Sequence, residues 1–116
     1  MRVLFVCSNN IDRSKTAEDM YKNDPRFEVK SAGVNVSAKE PVTRELVNWA
    51  DIIVVMNNKE DRQIFKLYQK FPYLKPMGKE ILDLDIPDTY NRDDPELITK
   101  IKKGMDAFFP PQTTVF

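Results

Sequence analysis

Short apolar runs alternate with longer segments of helical periodicity, and this alternation limits the fold more than any other feature of the chain. Four runs have the length and apolar content of strands, namely residues 3–6, 27–30, 52–56 and 80–84. Each is followed by a segment with helical spacing of its apolar residues, at about 14–23, 41–49, 58–71 and 95–108. The order β-α-β-α-β-α-β-α predicts an α/β domain of three layers, with a four-stranded parallel sheet and helices on both faces. In such a sheet, ligands bind beyond the carboxyl ends of the strands.

Prolines and capping residues predict where these helices begin and end. The first helix is expected to stop before Pro25, and Asn58 is expected to cap the third. Pro72 and Pro76 are read as breaks between that helix and the fourth strand. Pro95 suits the first position of the last helix.

Composition predicts one domain and excludes several kinds of partner. With 116 residues, 41% of them hydrophobic, we expect a single domain over residues 1–116. Lys+Arg and Asp+Glu both number 18, so no net charge favours nucleic acid or an acidic membrane surface, and we expect neither as a partner. One cysteine cannot form an internal disulfide, and no apolar run approaches the roughly 18 residues of a membrane span. We therefore expect a cytoplasmic protein.

The single cysteine, Cys7, directly follows the first predicted strand and begins a loop that leads into the first helix. Backbone N–H groups in such a loop converge on one point near the helix N-terminus, which suits a tetrahedral oxyanion. The partial positive charge at the helix N-terminus, together with Arg13, favours the nucleophilic thiolate of Cys7. The planar guanidinium of Arg13 can hold two phosphate oxygens, and the hydroxyl of Ser14 can donate to the sulfur. The residues predicted to surround the phosphate are Ser8, Asn9, Asn10, Ile11, Asp12 and Arg13.

An ordinary structural role for Cys7 is the alternative. A cysteine after an apolar strand is often a small buried residue, and an arginine six positions later is not rare. The strand-to-helix context and the serine after Arg13 favour the anion site.

The same residues resemble the signature of the low-molecular-weight protein tyrosine phosphatase family. Val-Cys-Ser-Asn-Asn-Ile-Asp-Arg-Ser at residues 6–14 is similar to the family's Val-Cys-x-Gly-Asn-Ile-Cys-Arg-Ser, and an Ala-Glu pair follows in both. Ser-Ala-Gly at 31–33 and Val-Met-Asn at 55–57 also match the family. Leu-Asp-Ile-Pro-Asp at 84–88 resembles a short branch often labelled predicted tyrosine phosphatases. The resemblance covers the whole chain and implies a phosphatase I-like domain of flavodoxin-like topology.

The resemblance also supplies a proton donor. A leaving alcohol or phenol needs a proton, which an aspartate from another loop donates in this family. By position, Asp88 matches that aspartate, and Asp85 is the alternative. Asp93 and Asp94 look like carboxylates that start a helix. Tyr90 matches the aromatic wall against which a phenyl phosphate stacks.

Two loop positions depart from the family. Asn9 replaces a glycine, a tolerable change because asparagine is the non-glycine residue that accepts a positive φ most readily. Asp12 replaces a second cysteine, and its carboxylate should repel bound phosphate unless the side chain points away or is paired. Asn10 matches a residue that braces the loop through hydrogen bonds.

The resemblance therefore implies hydrolysis of phosphomonoesters through a phosphocysteine on Cys7, with Asp88 as general acid. The expected substrates are phosphorylated proteins or small aryl phosphates, the product is inorganic phosphate, and no metal or organic cofactor is required.

Three other functions remain open on the same loop. A non-catalytic module could bind phosphate or a phosphoprotein, with Asp12 as a sign of lost activity. An arsenate reductase would need an external thiol, because the chain has no second cysteine. A phosphocarrier would not need Arg13.

Overall fold

Four parallel strands form the centre of the computed structural model, which describes residues 1–111 of the chain. The strands are β1 (Arg2–Cys7), β2 (Glu28–Gly33), β3 (Ile52–Val55) and β4 (Glu80–Asp83). Their order is β2-β1-β3-β4, so β1 has a parallel neighbour on each side. This order confirms the predicted α/β class and flavodoxin-like topology. The predicted extent of the domain includes residues 112–116, which lie outside the described part.

Helices cover both faces of this sheet. They are α1 (Arg13–Tyr21), α2 (Arg44–Trp49), α3 (Gln63–Lys70), α4 (Leu74–Met77) and α5 (Pro95–Phe108). Along β1, Val3 and Phe5 belong to the core formed with α1 and α5, whereas Leu4 and Val6 belong to the core formed with the other helices. Burial on both faces explains why the two interior strands, β1 and β3, are almost continuously apolar in sequence. Within residues 1–111, no helix has both the length and the apolar character needed to cross a bilayer.

Two helices begin later than the sequence predicts. The hydroxyl of Thr43 accepts a hydrogen bond from the N–H of Leu46, so α2 begins at Arg44 instead of residue 41. Asn58 accepts a hydrogen bond from the N–H of Ile64, as a capping side chain does. A turn separates Asn58 from α3, however, and the helix itself begins at Gln63.

The short helix α4 is not predicted from the sequence. Pro76 was expected to break the chain, but it occupies the third position of this short helix, where its missing N–H has no helical acceptor to lose. Gly78 ends the helix with a left-handed φ of 75°.

The parallel strands place their carboxyl ends, and the loops that follow them, at one edge of the sheet. The last of these loops, residues 84–94, also bonds to β3 and its extension. The N–H of Leu84 donates to the carbonyl of Val55 (3.0 Å), and the N–H of Ile86 donates to that of Met56 (2.7 Å). The loop after β4 therefore lies close to the loop after β1.

Candidate active site

The side chain of Cys7 lies at the end of β1, is 3% exposed, and has two polar groups close to its sulfur. The N–H of Asn10 donates to its Sγ at 3.2 Å, and Ser14 Oγ lies 3.0 Å from the same atom. Ser14 Oγ also accepts a hydrogen bond from Asn10 Nδ2 at 2.8 Å, which leaves the hydroxyl proton free for the sulfur. Hydrogen bonds directed at sulfur stabilise its thiolate form.

Asn10, not Asn9, has the left-handed backbone in this loop, with a φ of 56°. Asn9 has no positive φ, so its replacement of a glycine needs no such tolerance. The left-handed residue is the one whose N–H must turn inward to the sulfur, and its buried side chain compensates by bonding to Ser14. Asparagine suits that position because it is the non-glycine residue that tolerates this conformation best.

The backbone of the loop after β2 is hydrogen-bonded to the backbone of the Cys7 loop. The N–H groups of Val34, Asn35 and Lys39 donate to the carbonyls of Cys7, Ser8 and Asn9, respectively, at 2.9 to 3.0 Å. Gly33 passes so close that a Cβ there would lie 2.6 Å from the carbonyl oxygen of Ser8 and 3.0 Å from the nitrogen of Asn10.

The guanidinium of Arg13 is almost fully buried, with 2% exposure, and contacts three groups from two loops, the loop after β3 and the loop after β4. Its Nη1 lies 2.7 Å from Asp61 Oδ2 and donates to the carbonyl of Ile86 at 2.8 Å. Its Nε lies 3.7 Å from Asp88 Oδ1. One part of the guanidinium is thus held by protein groups, and another faces a carboxylate at the mouth of the site.

Asp61 is the residue of this site that the sequence analysis does not identify. It follows β3 in a turn that Asn57 orders, since Asn57 Oδ1 accepts hydrogen bonds from the N–H groups of Glu60 and Asp61. The Val-Met-Asn match at residues 55–57 marks this strand end, but several carboxylates follow it in sequence. Only the folded turn shows which one reaches Arg13.

Gln63 is a second unpredicted participant. It is fully buried, and its Oε1 accepts hydrogen bonds from the N–H groups of Met56 and Asn57 at 2.9 Å. Its Nε2 donates to Ser8 Oγ at 3.3 Å, so the first residue of α3 connects the end of β3 to the Cys7 loop. A glutamine in an amphipathic helix gives no sequence signal of such a role.

These loops enclose a cavity of about 50 Å³ directly beside Cys7. One water needs roughly 10–15 Å³, so the space suits a compact group of a few heavy atoms, such as a phosphoryl group. Most residues predicted for the site meet here. The lining residues are Cys7, Ser8, Asn9, Ile11, Asp12, Arg13 and Asp88.

The other candidates lie elsewhere. Asp85 lines a separate surface hollow with Lys100 and Lys103, whereas Asp88 lines the cavity. Tyr90 does not line this cavity; its ring packs against the hydrophobic core and its hydroxyl donates to Glu96 Oε1 at 3.2 Å.

The two carboxylates before α5 have different surroundings. Asp94 caps α5 by accepting the N–H of Glu96, the helix-start role expected of it. Asp93 has a left-handed backbone, and its N–H donates to Thr16 Oγ1 at 3.0 Å.

The carboxylate of Asp12 has a partner outside the cavity. Its Oδ1 accepts a hydrogen bond from the backbone N–H of Arg92 at 2.9 Å. Among the described residues, 1–111, no group of three or more cysteine, aspartate or glutamate side chains is arranged to hold a metal ion.

Comparisons with known proteins agree with the sequence resemblance. Residues 2–47 match the model of the low molecular weight phosphotyrosine protein phosphatase family, which confirms the resemblance drawn from the Cys7 loop. No curated protein sequence matches the chain.

Several solved structures share the fold at low sequence identity. A low molecular weight protein tyrosine phosphatase from Streptococcus pyogenes is 19% identical, with a TM-score of 0.74 over 97% of this chain and 93% of the other. An arginine phosphatase from Geobacillus stearothermophilus is 23% identical, with a TM-score of 0.66 over 97% and 99%. A thioredoxin-dependent arsenate reductase from Corynebacterium glutamicum is 20% identical, with a TM-score of 0.59 over 92% and 59%. The fold is shared by proteins of three different activities.

Proposed function

We propose that the protein is a cysteine-dependent phosphomonoesterase that acts through a phosphocysteine on Cys7. The observation that carries the proposal is the convergence of Cys7, Arg13 and Asp88 on one cavity of phosphoryl size. A nucleophile, a cation and a carboxylate at the entrance are the three groups that this reaction requires.

In the first step, the thiolate of Cys7 attacks phosphorus, and a P–S bond forms while the bond from phosphorus to the leaving oxygen breaks. Arg13 and the backbone N–H groups of residues 8–13 stabilise the charge on the phosphoryl oxygens. Asp88, in its acid form, gives its proton to the leaving oxygen. Its exposed position at the mouth suits this task, because the leaving group must point outward from the cavity.

In the second step, water attacks phosphorus and the P–S bond breaks, which releases inorganic phosphate and restores the thiolate. Asp88, now a carboxylate, takes the proton from this water. The hydroxyl of Ser14, 3.0 Å from Sγ, stabilises the departing thiolate. No group outside the described site is needed for either step.

An aryl phosphate is the substrate class that we favour. Ile11 lines the cavity and is 56% exposed, so it offers an apolar contact to a group that extends from the bound phosphoryl. A phosphotyrosine side chain of a protein, or a small aryl phosphate, fits this contact. We place the reaction in the reducing cytoplasm, which keeps Cys7 as a thiol.

Three substitutions test the mechanism in an assay with phenyl phosphate. Cys7→Ser and Arg13→Ala should abolish turnover, and Asp88→Asn should lower kcat by about 10²- to 10⁴-fold, which is the usual contribution of a general acid. Asp85→Asn is the matched control, because it removes a carboxylate from the same loop but from outside the cavity. Its left-handed backbone also accepts asparagine.

Several results would replace this proposal. If Asp85→Asn loses activity and Asp88→Asn keeps it, the general acid is Asp85 and not Asp88. Binding of inorganic phosphate without hydrolysis of phenyl phosphate or phosphotyrosine peptide would identify a binding module. Faster hydrolysis of phosphoarginine than of phosphotyrosine would overturn the aryl preference, and reduction of arsenate with an added thiol would identify a reductase.

A further inference from the structure

The 84–94 loop, which carries Asp88, is anchored at its first residues by β3 and by Arg13. Leu84 and Ile86 donate their N–H groups to the carbonyls of Val55 and Met56. Arg13 Nη1 donates to the carbonyl of Ile86, whose side chain is 1% exposed. This end of the loop is therefore fixed by backbone bonds and by burial.

The other end of the loop is anchored by the start of α1. Asp12 Oδ1 accepts the N–H of Arg92 at 2.9 Å, and Thr16 Oγ1 accepts the N–H of Asp93 at 3.0 Å. The guanidinium of Arg92 also pairs with Asp19 at 2.7 Å. That pair is exposed and contributes little, whereas a carboxylate that accepts a backbone N–H makes one of the stronger hydrogen bonds.

Asp88 lies between these two anchors and is itself weakly held. Its side chain is 54% exposed, and its distance to Arg13 Nε, 3.7 Å, is too long for a hydrogen bond. Burial therefore does not determine where Asp88 stands. Its position above the cavity depends on the anchored ends of its loop.

The side chain of Asp12 bonds to the 84–94 loop and not to its own helix, α1. It occupies the N-cap position of α1, where an aspartate side chain usually accepts an N–H of the first helical turn. No such bond is present, and the carboxylate instead reaches across to the 84–94 loop. Asp12 still lines the cavity, but the hydrogen bond from the Arg92 N–H partly offsets the repulsion of phosphate that the sequence predicts.

We propose that Asp12 is a positioning residue, which holds the 84–94 loop so that Asp88 can reach the leaving group. This inference rests on the proposed function, since it assigns Asp12 a part in the same reaction. Asp12 then supports turnover, whereas the sequence alone suggests that it hinders phosphate binding.

The test compares Asp12→Ala with Asp12→Asn on two substrates. Asparagine keeps an oxygen that can accept the Arg92 N–H but removes the charge, and alanine removes both. With phenyl phosphate, whose leaving group needs a proton, Asp12→Ala should lower kcat by about tenfold or more, as expected for a displaced acid. With 2,4-dinitrophenyl phosphate, whose leaving group needs none, the loss should stay within about threefold. Asp12→Asn keeps the acceptor, so the ratio of its rates on the two substrates should stay within about threefold of the wild-type ratio.

Amide hydrogen exchange provides a readout that does not depend on activity. Asp12→Ala should speed exchange at the N–H of Arg92, whereas Asp12→Asn should not. Asp19→Asn is the control, because it removes a half-buried carboxylate of α1 that pairs with the side chain of Arg92 and not with its backbone N–H. It should change neither the exchange rate nor the ratio of the two substrate rates.

The inference fails if Asp12→Ala leaves exchange at Arg92 unchanged, if it slows both substrates equally, or if both Asp12 variants turn over faster than wild type. An inactive wild-type protein would reject the proposed function instead. In that case the exchange experiment alone decides whether Asp12 anchors the loop.

Discussion

Arg13 shows how a single side chain can be held by structural contacts and still line a cavity. A guanidinium that is 2% exposed needs a charged partner in the protein, and Asp61 is that partner at 2.7 Å. Because Asp61 and the carbonyl of Ile86 both contact Nη1, the rest of the guanidinium keeps a fixed orientation toward the cavity. The orientation exists before any phosphate binds, which lowers the entropic cost of binding.

Asp61→Asn tests this role at the residue scale. The substitution keeps the shape of the side chain but leaves the buried guanidinium without its charged partner. We expect the free energy of unfolding to fall by about 1–3 kcal/mol, less than for a fully buried pair because the side chain of Asp61 is 23% exposed. Urea unfolding measures this loss, and kcat/KM for phenyl phosphate should decrease as well.

Glu60→Gln is the matched control for Asp61→Asn. Glu60 is the exposed neighbour of Asp61 in the same turn, so its loss should change stability by less than about 0.5 kcal/mol. Equal losses of stability in the two variants would show that Asp61 does not stabilise the protein through its pair with Arg13.

At the scale of elements, the contact between the end of β2 and the Cys7 loop fixes the shape of the loop that lines the cavity. Gly33 pairs with Cys7 in the sheet, and the chain then turns beneath the carbonyl of Ser8. A glycine is required here by close approach of two backbones, not by an unusual φ. The Ser-Ala-Gly match in the sequence marked this glycine, although only the structure gives its reason.

Gly33→Ala should therefore damage the anion site. The new Cβ would lie 2.6 Å from both Ala38 Cβ and the carbonyl oxygen of Ser8, and backbone cannot move aside as a flexible side chain can. We expect a loss of about 1–3 kcal/mol in stability and weaker binding of inorganic phosphate by calorimetry. Adding Ala38→Gly should restore only part of the loss, since the contact with Ser8 remains. Unchanged phosphate affinity in Gly33→Ala would show that the two loops adapt independently.

The elements were predictable because their patterns are local, and the misses have a common physical origin. Apolar runs, and for the second strand an alternating pattern, identified the four strands. The strand-to-helix context identified the loop that holds Cys7, Arg13 and Ser14. The helix α4 was missed because a proline is harmful only beyond the first turn. The contacts of Asp61 and Tyr90 depend on which loops meet after folding, and no local pattern contains that information.

At the scale of the whole molecule, an aromatic group ties α1 to the sheet and to the end of α5. Tyr21 packs against Phe5 and Phe27, each with 6.0 Å between ring centroids, and Phe27 packs against Phe109 at 5.2 Å. Burial, with a smaller contribution from the negative charge of Asp106, raises the pKa of Tyr21 from 10.0 to about 12.

This shift makes the fold sensitive to alkali. The unfolded chain loses the Tyr21 proton near pH 10 and the folded chain near pH 12, so the unfolded state binds fewer protons between these values. Stability should then fall as pH rises through this range, by on the order of 2 kcal/mol from Tyr21. Tyr21→Phe keeps the ring and should show a smaller fall when urea unfolding is followed from about pH 9 to about pH 12. Identical pH profiles of the two proteins would contradict this contribution.

Because of the strand order, the two loops that meet at the site are expected to differ in local stability. Cys7 ends β1, an interior strand buried along nearly its whole length, whereas the 84–94 loop follows β4, an edge strand whose residues are exposed or half-buried. The edge of a fold opens at lower free energy than its centre. We therefore expect the least costly local opening to move Asp88 away while the Cys7 loop keeps its contacts. Under the proposed function, this transient form would bind phosphate esters but would cleave only slowly those whose leaving group needs a proton.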